Sequence, residues 1–141
     1  MTSDPDRRFS PLFIRFLYHF NVDRDYFECH EVLEELWMEE GRELLYQGLL
    51  QVAVALYHHR NGNVNGARKL FQRALDKLSP YPDDALGIDL ARLQRDAEYY
   101  LRRLKSEVPS SFLDLNIRIL DPRLLKRVRE MDRGEDKRER D

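Results

Sequence analysis

The sequence has few features that would stabilise a protein other than by its hydrophobic core, or that would direct it to a membrane, to secretion or to nucleic acid. It has a single cysteine, Cys29, so no disulfide can form within the chain. No apolar run approaches the roughly 18 residues that span a bilayer, and residues 1–10 lack the apolar segment of a signal peptide. The 24 lysines and arginines are balanced by 26 aspartates and glutamates, so the overall charge gives no general attraction to nucleic acid or to an anionic membrane. These absences predict a soluble, cytoplasmic protein.

The sequence is rich in helical periodicity. Its 141 residues are enough to bury one core without disulfides or metals. No segment combines strand alternation with turn residues, so the predicted class is all-α. We expect a single compact bundle of stacked antiparallel hairpins, with about five main helices and a short C-terminal helix. Residues 1–9 are predicted to be a flexible N-terminus, 10–131 a single helical domain, and 132–141 a disordered charged tail.

Capping and helix-breaking residues predict where these helices begin and end. The expected helices span about 11–20, from Asp23 or Asp25 to near Gly41, 43–60, 64–78, 85–107 and 122–131. The third contains LLQVAVALY, which is apolar almost all round, so it is predicted to be the central buried element. SSFLDLNIRIL, residues 110–120, mixes strand-like and helical patterns, and we predict an irregular docking arm.

The most informative motif is a polar pair, His30 and Glu34, in YFECHEVLEELWM, residues 26–38. At about 100° per residue the pair falls within one sector of the helix. Four large apolar side chains bracket this sector: Tyr26, Phe27, Leu33 and Trp37. The pair is therefore predicted to face the interior. Burying ionisable groups without hydrogen-bonding partners costs free energy. The two side chains must therefore pair with each other, with neighbouring residues or with a ligand.

Two glutamines on the next helix are placed to satisfy this pair. If Gly41 is the pivot of an antiparallel hairpin, Gln51 lies level with His30 and Gln47 level with Glu34. Amide groups donate and accept hydrogen bonds, so the two glutamines can supply the hydrogen bonds that His30 and Glu34 do not make with each other. We predict a buried network of these four side chains that fixes the register of helices two and three. A proton-transfer role would require a solvent-accessible cleft beside the pair.

Catalytic and metal-binding interpretations of the motif remain open. HExxE has the spacing of the metalloprotease motif HExxH, but Glu34 replaces the second histidine and no third histidine motif follows. The chain has no Glu-x-x-His pair, which a di-iron bundle requires. A mononuclear metal site would use His30, Glu34 and a ligand from helix three, for which His58 is the candidate. No other cofactor is indicated. Cys29 has no obvious base nearby, so we predict a core residue and no nucleophile.

Two further features have structural explanations. Gly48 within a helix costs about 1 kcal/mol relative to alanine, which predicts the close approach of a bulky neighbour, with Trp37 or Tyr26 as candidates. The floor of a ligand pocket is the alternative. His58 and His59 lie near the end of their helix, where imidazoles suit the negative end of the helix dipole.

Two segments bear on possible partners. PRLLKRVREM, residues 122–131, is basic and amphipathic, but acidic residues interleave with its charges, so we predict a solvated face and no nucleic-acid or membrane partner. Ala67, Phe71 and Ala74, followed by Pro80, have spacing similar to the second helix of a tetratricopeptide repeat. Only one such unit is present, so the pattern predicts close hairpin packing and no more. A spare apolar face on the first or last helix leaves a monomer or a homodimer open.

Several separated blocks together resemble a known family. FN at 20–21, YFECHEVLEELW at 26–37 and QGLLQVAVALYHHRNGNVNGARKLFQRAL at 47–75 are similar to the bacterial and archaeal domain-of-unknown-function family 309. Its hallmark positions would be His30, Glu31, Glu34, Trp37, Gln47, Gly48 and Gln51, with Tyr26 as a packing residue of the same motif. The resemblance implies a compact helical domain and no particular reaction. Predictions for residues after about Pro82 rest on pattern alone.

The combined features favour a non-catalytic role in protein interaction or as a scaffold. The hairpin pattern and the mixed charged surface support it, and no catalytic motif is complete. The alternative is a metal- or small-ligand-binding hydrolase-type enzyme. In that enzyme His30 would act as general base or metal ligand, and Glu34 would orient it. One observable property distinguishes the two hypotheses: whether a pocket opens onto His30. A sealed, dry pair would support the scaffold.

Overall fold

Helices account for nearly all the regular structure of the chain. The computed structural model describes residues 9–106, 108 and 110–140, with side chains described up to residue 133. The helices are α1 (Pro11–Asn21), α2 (Tyr26–Glu39), α3 (Leu44–Arg60), α4 (Val64–Leu78), α5 (Leu90–Lys105) and α6 (Pro122–Arg140), with a 3-10 turn at Ala85–Gly87. No strand occurs among the described residues, so the predicted all-α class is confirmed. The predicted flexible segment lies, except for Phe9, outside the described residues.

Side-chain caps start five of these helices. Each capping oxygen accepts a hydrogen bond from a backbone N–H in the first turn: Ser10 in α1, Asp25 in α2, Asn63 in α4, Asp89 in α5 and Asp121 in α6. The prediction that the fifth helix begins at Ala85 is wrong. Leu86 and Gly87 have φ angles of 60° and 77°, a left-handed conformation that interrupts a right-handed helix. The helix begins only after the cap at Asp89.

Consecutive helices pack against one another from α1 to α5, and α6 folds back onto α1. The contact between α3 and α4 is close at Gly48. A Cβ atom at this glycine would lie 2.7 Å from Cδ2 of Leu78 and 3.3 Å from Cβ of Lys77. The predicted bulky neighbour therefore exists, but it is Leu78 of α4. The candidates Trp37 and Tyr26 were wrong.

The core is aromatic and continuous through the bundle. Its largest fully buried side chains include Tyr26, Tyr100, Phe13, Phe16, Phe20 and Phe71. Cys29 is also fully buried, as predicted. Burial raises the pKa of its thiol, and the nearby carboxylates of Asp23 and Asp25 raise it further. A protonated, inaccessible thiol is a poor nucleophile.

The segment between α5 and α6 is held as an arm against the bundle. Asn21 donates a hydrogen bond from Nδ2 to the carbonyl of Ile117 at 2.8 Å and accepts one from the Ile117 N–H at 2.9 Å. Ile119 forms an isolated antiparallel bridge with Ile88, and the hydroxyl of Tyr26 donates to Asp114. Residues 110–120 contain no helix, so the predicted docking arm is confirmed.

The last helix is longer than predicted. Leu124 and Val128 are buried, but α6 continues past the predicted end at Met131 to Arg140. The sequence had predicted a disordered tail there. Arginine, glutamate and lysine have high helix propensity, so they can extend a helix whose first turns are fixed by packing. Asp141 lies outside the described residues. In the part of the chain that the structure describes, no helix has the length and apolar content required to cross a bilayer.

Candidate functional site

The polar pair of α2 lies at the protein surface. The side chains of His30 and Glu34 are 35% and 52% exposed, so the prediction that they face the interior is wrong. The buried face of α2 consists of Tyr26, Cys29, Val32, Leu33 and Leu36. At about 100° per residue, His30 lies at the edge of this face and Glu34 lies outside it. Phe27 is 55% exposed, and counting it as a core residue displaced the predicted face.

His30 contacts two carboxylates. Its Nε2 lies 3.4 Å from Oε2 of Glu34, and its Nδ1 lies 3.3 Å from Oε1 of Glu31. A neutral imidazole has one N–H and can donate to one of these carboxylates at a time, whereas a protonated ring can donate to both. All three side chains are partly exposed, so the contacts contribute little to stability. They do fix two acidic groups beside the imidazole.

The predicted four-member network does not form. Gln51 is buried, but its Oε1 accepts a hydrogen bond from Nζ of Lys77 at 3.1 Å. Gln47 is half-buried. Within the described residues, neither glutamine hydrogen-bonds His30 or Glu34. The physical reason is that Gln51 follows Gly48 by about one turn and shares the side of α3 that faces α4.

A shallow apolar cleft opens between α2 and α3 beside His30. We call it the hairpin groove. It has a volume of about 160 Å³ and is lined by Tyr26, Phe27, His30, Val54, Tyr57 and His58. The rings of Phe27 and Tyr57 lie with centroids 6.1 Å apart at 51°, within the range of favourable aromatic pairs. The structure thus resolves what the sequence left open: a cleft does open onto His30.

The volume of the hairpin groove limits what it can bind. An apolar cavity of about 150 Å³ accommodates benzene, whereas sites for drug-sized ligands occupy about 300–1,000 Å³. The groove therefore has the size for one large side chain. Three larger clefts are less uniformly apolar. The cleft of about 490 Å³ at Phe9 and Gly87 includes two aspartates, and the cleft of about 410 Å³ between α4 and α5 is mostly lined by polar and charged side chains. The cleft of about 260 Å³ beside His59 includes Arg103 and two serines.

The two adjacent histidines of α3 have different environments. His58 lines the groove, and its Nδ1 lies 3.4 Å from Nδ2 of Asn63. The amide oxygen of Asn63 accepts from the Gly66 N–H, so Nδ2 is the donor and His58 Nδ1 the acceptor. A neutral His58 therefore carries its proton on Nε2. His59 is buried in the core, with Nδ1 at 2.6 Å from the hydroxyl of Tyr100.

The candidate metal ligands do not assemble into a site. Across residues 9–106, 108 and 110–133, no three histidine, cysteine, aspartate or glutamate side chains are grouped so that they can hold a metal ion. His30 and His58 border the same groove from opposite helices, whereas Glu34 contacts His30 but does not line the groove. The arrangement can hold an apolar side chain next to two imidazoles and two carboxylates.

Two aromatic residues of the motif have structural contacts. Tyr26 is buried, with the Arg60 guanidinium 4.8 Å from its ring centroid. Burial raises the pKa of Tyr26, and its hydrogen bond to Asp114 raises it further. Trp37 is half-buried against the core, and the guanidinium of Arg42 lies 5.5 Å from its ring centroid. Its indole N–H is enclosed and has no partner among the described residues.

Sequence reasoning placed Phe27 beside His30 but assigned it to the core, and it missed two other residues that form the groove, Val54 and Tyr57. The signal was present in α3. A helix that is apolar on every side has more apolar surface than its buried face requires, and Leu50, Val54 and Tyr57 recur at helical spacing on the half-buried side. We interpreted this as complete burial, whereas a strip of the helix faces solvent.

Comparisons with known proteins give one family match and two similar bacterial proteins. Uncharacterized protein YpuF of Bacillus subtilis (strain 168) is 43% identical over 86 residues, which cover 57% of this chain and 49% of that protein. An uncharacterized protein of Aquifex aeolicus (strain VF5) is 31% identical over 80 residues, covering 55% of this chain and 24% of that protein. The chain thus spans about half the length of the Bacillus relative and less of the Aquifex relative. Residues 13–70 match the family described as "Domain of unknown function (DUF309)". The resemblance seen in the sequence is therefore confirmed by a match to that family's model over residues 13–70.

Proposed function

We propose that this protein has a non-catalytic interaction role and recognises a segment of another protein through the hairpin groove. The observation that carries this proposal is an apolar cleft of single-side-chain volume that opens to solvent beside a half-exposed aromatic residue, Phe27. Aromatic residues in such positions are typical anchors of protein interfaces.

The energetics of one anchor indicate what else the interface needs. A large aromatic side chain buries about 150–250 Å², worth about 4–6 kcal/mol at about 25 cal/mol per Å². Association itself costs about 4–15 kcal/mol in lost translational and rotational freedom. One side chain in the groove therefore gives only weak binding, and a stable complex needs more. The partner must add contacts on the surface around the groove.

A peptide selection tests this proposal. A display library of helical peptides is selected against the wild-type protein, against Phe27→Ser, and against Met38→Ser as the matched control. Phe27 and Met38 lie on the same helix and are 55% and 57% exposed, so neither substitution opens a core cavity. We expect enriched peptides that contain a large apolar residue, bind wild-type and Met38→Ser protein equally, and lose binding to Phe27→Ser. No enrichment, or equal binding to all three proteins, would contradict the proposal.

The enzyme hypothesis is favoured by one observation, the opening of the groove onto His30. In that hypothesis His30 acts as general base or metal ligand and Glu34 orients it at 3.4 Å. The groove volume of about 160 Å³ is small for a substrate site, which is why we favour recognition. About one equivalent of metal in the purified protein, removed by His30→Ala without unfolding, would support the metal version instead. Unchanged metal content in the His30→Ala variant would contradict the metal-binding version of the enzyme hypothesis.

A further inference from the structure

We infer that the segment held by the hairpin groove belongs to a basic amphipathic helix. One large apolar residue of this helix fills the groove, and a lysine or arginine about one turn away pairs with Glu31 and Glu34. This inference rests on the proposed interaction role and specifies the chemistry of the partner.

The charge of α2 is the first line of support. The helix contains five glutamates, Glu28, Glu31, Glu34, Glu35 and Glu39, and no lysine or arginine. Glu31 and Glu34 have side chains 55% and 52% exposed, and their only ion-pair contact among the described residues is His30. Two carboxylates without a permanent cation therefore stand next to the groove. A complementary positive charge on the partner fits this surface.

The spacing along α2 is the second line of support. His30 lines the groove, and Glu34 follows it by one turn, a rise of about 6 Å for four residues. Residues three or four apart on a partner helix have a similar separation. A helix lying along the hairpin can thus place an apolar residue in the groove and a cation against the carboxylates at the same time. This combination is typical of helix-in-groove recognition.

Arg60 determines on which side of the anchor the basic residue of the partner helix lies. Its guanidinium lies over the ring of Tyr26, which lines the groove, and donates to the backbone carbonyl of Arg24. A cationic partner residue is attracted towards Glu34 and repelled near Arg60. The partner helix therefore carries its basic residue on one side of the anchor only.

The same charges argue against a second copy of this chain as the occupant. A two-fold interface places the same patch on both subunits. With α2 facing α2, the glutamates of one copy would oppose those of the other, and like-charge contacts disfavour association. A basic partner removes this repulsion.

Designed peptides test the inference directly. A labelled, alanine- and glutamine-based helical peptide carries one leucine or phenylalanine anchor and, four residues to either side, lysine, glutamine or glutamate. Its binding is measured by fluorescence anisotropy with the wild-type protein, with the double variant Glu31→Gln and Glu34→Gln, and with Glu35→Gln as control. Glu35 is an exposed glutamate of the same helix outside the pair. Analytical ultracentrifugation of the free protein is run in parallel.

We expect the lysine peptide to bind about 2- to 5-fold more tightly than the glutamine peptide, with lysine on one side of the anchor only. The preference should weaken with salt, disappear in the double variant and persist in Glu35→Gln. Peptides that require Phe27 but show no preference for lysine would overturn this inference and leave the proposed function intact. Failure of every peptide to bind wild-type protein would overturn both. A dimer that Phe27→Ser dissociates would assign the groove to a second copy and also overturn the inference.

Discussion

Replacement of Gly48 by alanine sets two opposing effects against each other at the contact between α3 and α4. Alanine is favoured over glycine in a helix interior by about 1 kcal/mol. The new Cβ would lie 2.7 Å from Cδ2 and 2.9 Å from Cγ of Leu78. Leu78 is fully buried, so its side chain cannot move into solvent to relieve the overlap.

The structure predicts that the steric cost prevails. Overpacking a filled core costs about 1–3 kcal/mol, and the Cβ of Lys77 at 3.3 Å restricts movement of α4 as well. After the helix-propensity gain is subtracted, Gly48→Ala should lower the free energy of unfolding by about 1 kcal/mol. For a domain of this size that corresponds to a fall in Tm of about 3–4 °C.

Chemical denaturation of a double-mutant cycle provides the assay. Leu78→Ala alone should cost about 2–5 kcal/mol, because it creates a cavity. In that background the overlap is gone, so adding Gly48→Ala should stabilise the protein by about 1 kcal/mol. The sign of the Gly48→Ala effect is thus expected to reverse between the two backgrounds. Stabilisation of the wild-type background by Gly48→Ala would refute the close contact.

Three further predictions concern residues outside the groove. Cys29 should resist thiol reagents at pH 8 until the protein is unfolded. Its pKa is raised in the folded state, so the thiolate forms first in the unfolded chain, and stability should fall as pH rises above about 9; an equal fall in Cys29→Ala, measured by urea denaturation, would contradict this. Tyr100→Phe removes the hydrogen bonds of the Tyr100 hydroxyl with His59 and with the Leu113 N–H and should lower the unfolding free energy by about 1–3 kcal/mol, whereas an unchanged midpoint would argue against these bonds. Asn21→Leu removes both hydrogen bonds to Ile117, so hydrogen exchange of the Ile117 amide should accelerate; unchanged protection would show that the arm is held by other contacts.

The helical framework could be predicted because its signals are local. Ser10 with Pro11 and Asp25 mark helix starts through side-chain caps that depend only on neighbouring residues. The false start at Ala85 shows the limit of this reasoning. Helix-forming residues continue through that segment, and Leu86 adopts a left-handed conformation that its residue type does not signal.

The candidate site was harder to predict because it depends on which side of each helix is covered. His30 and Glu34 were correctly expected to contact each other, since residues four apart on a helix are neighbours. The prediction that both side chains are buried was wrong. The rotation of α2 about its axis is fixed by packing with α1 and α3, and this packing leaves Phe27 in solvent. The partner of Gln51 likewise depended on α4, which supplies Lys77 from a distant part of the sequence.

An NMR titration with N-acetylphenylalaninamide tests most directly whether the hairpin groove recognises a large apolar side chain. This probe carries the anchor alone and requires no partner protein. We predict saturable shift changes for Val54, Tyr57 and His30, none for Leu75 in the cleft between α4 and α5, and loss of the changes in Phe27→Ser but not in Met38→Ser. Absence of saturable changes around Val54, or equal changes in both variants, would contradict the assignment of this groove as the binding surface.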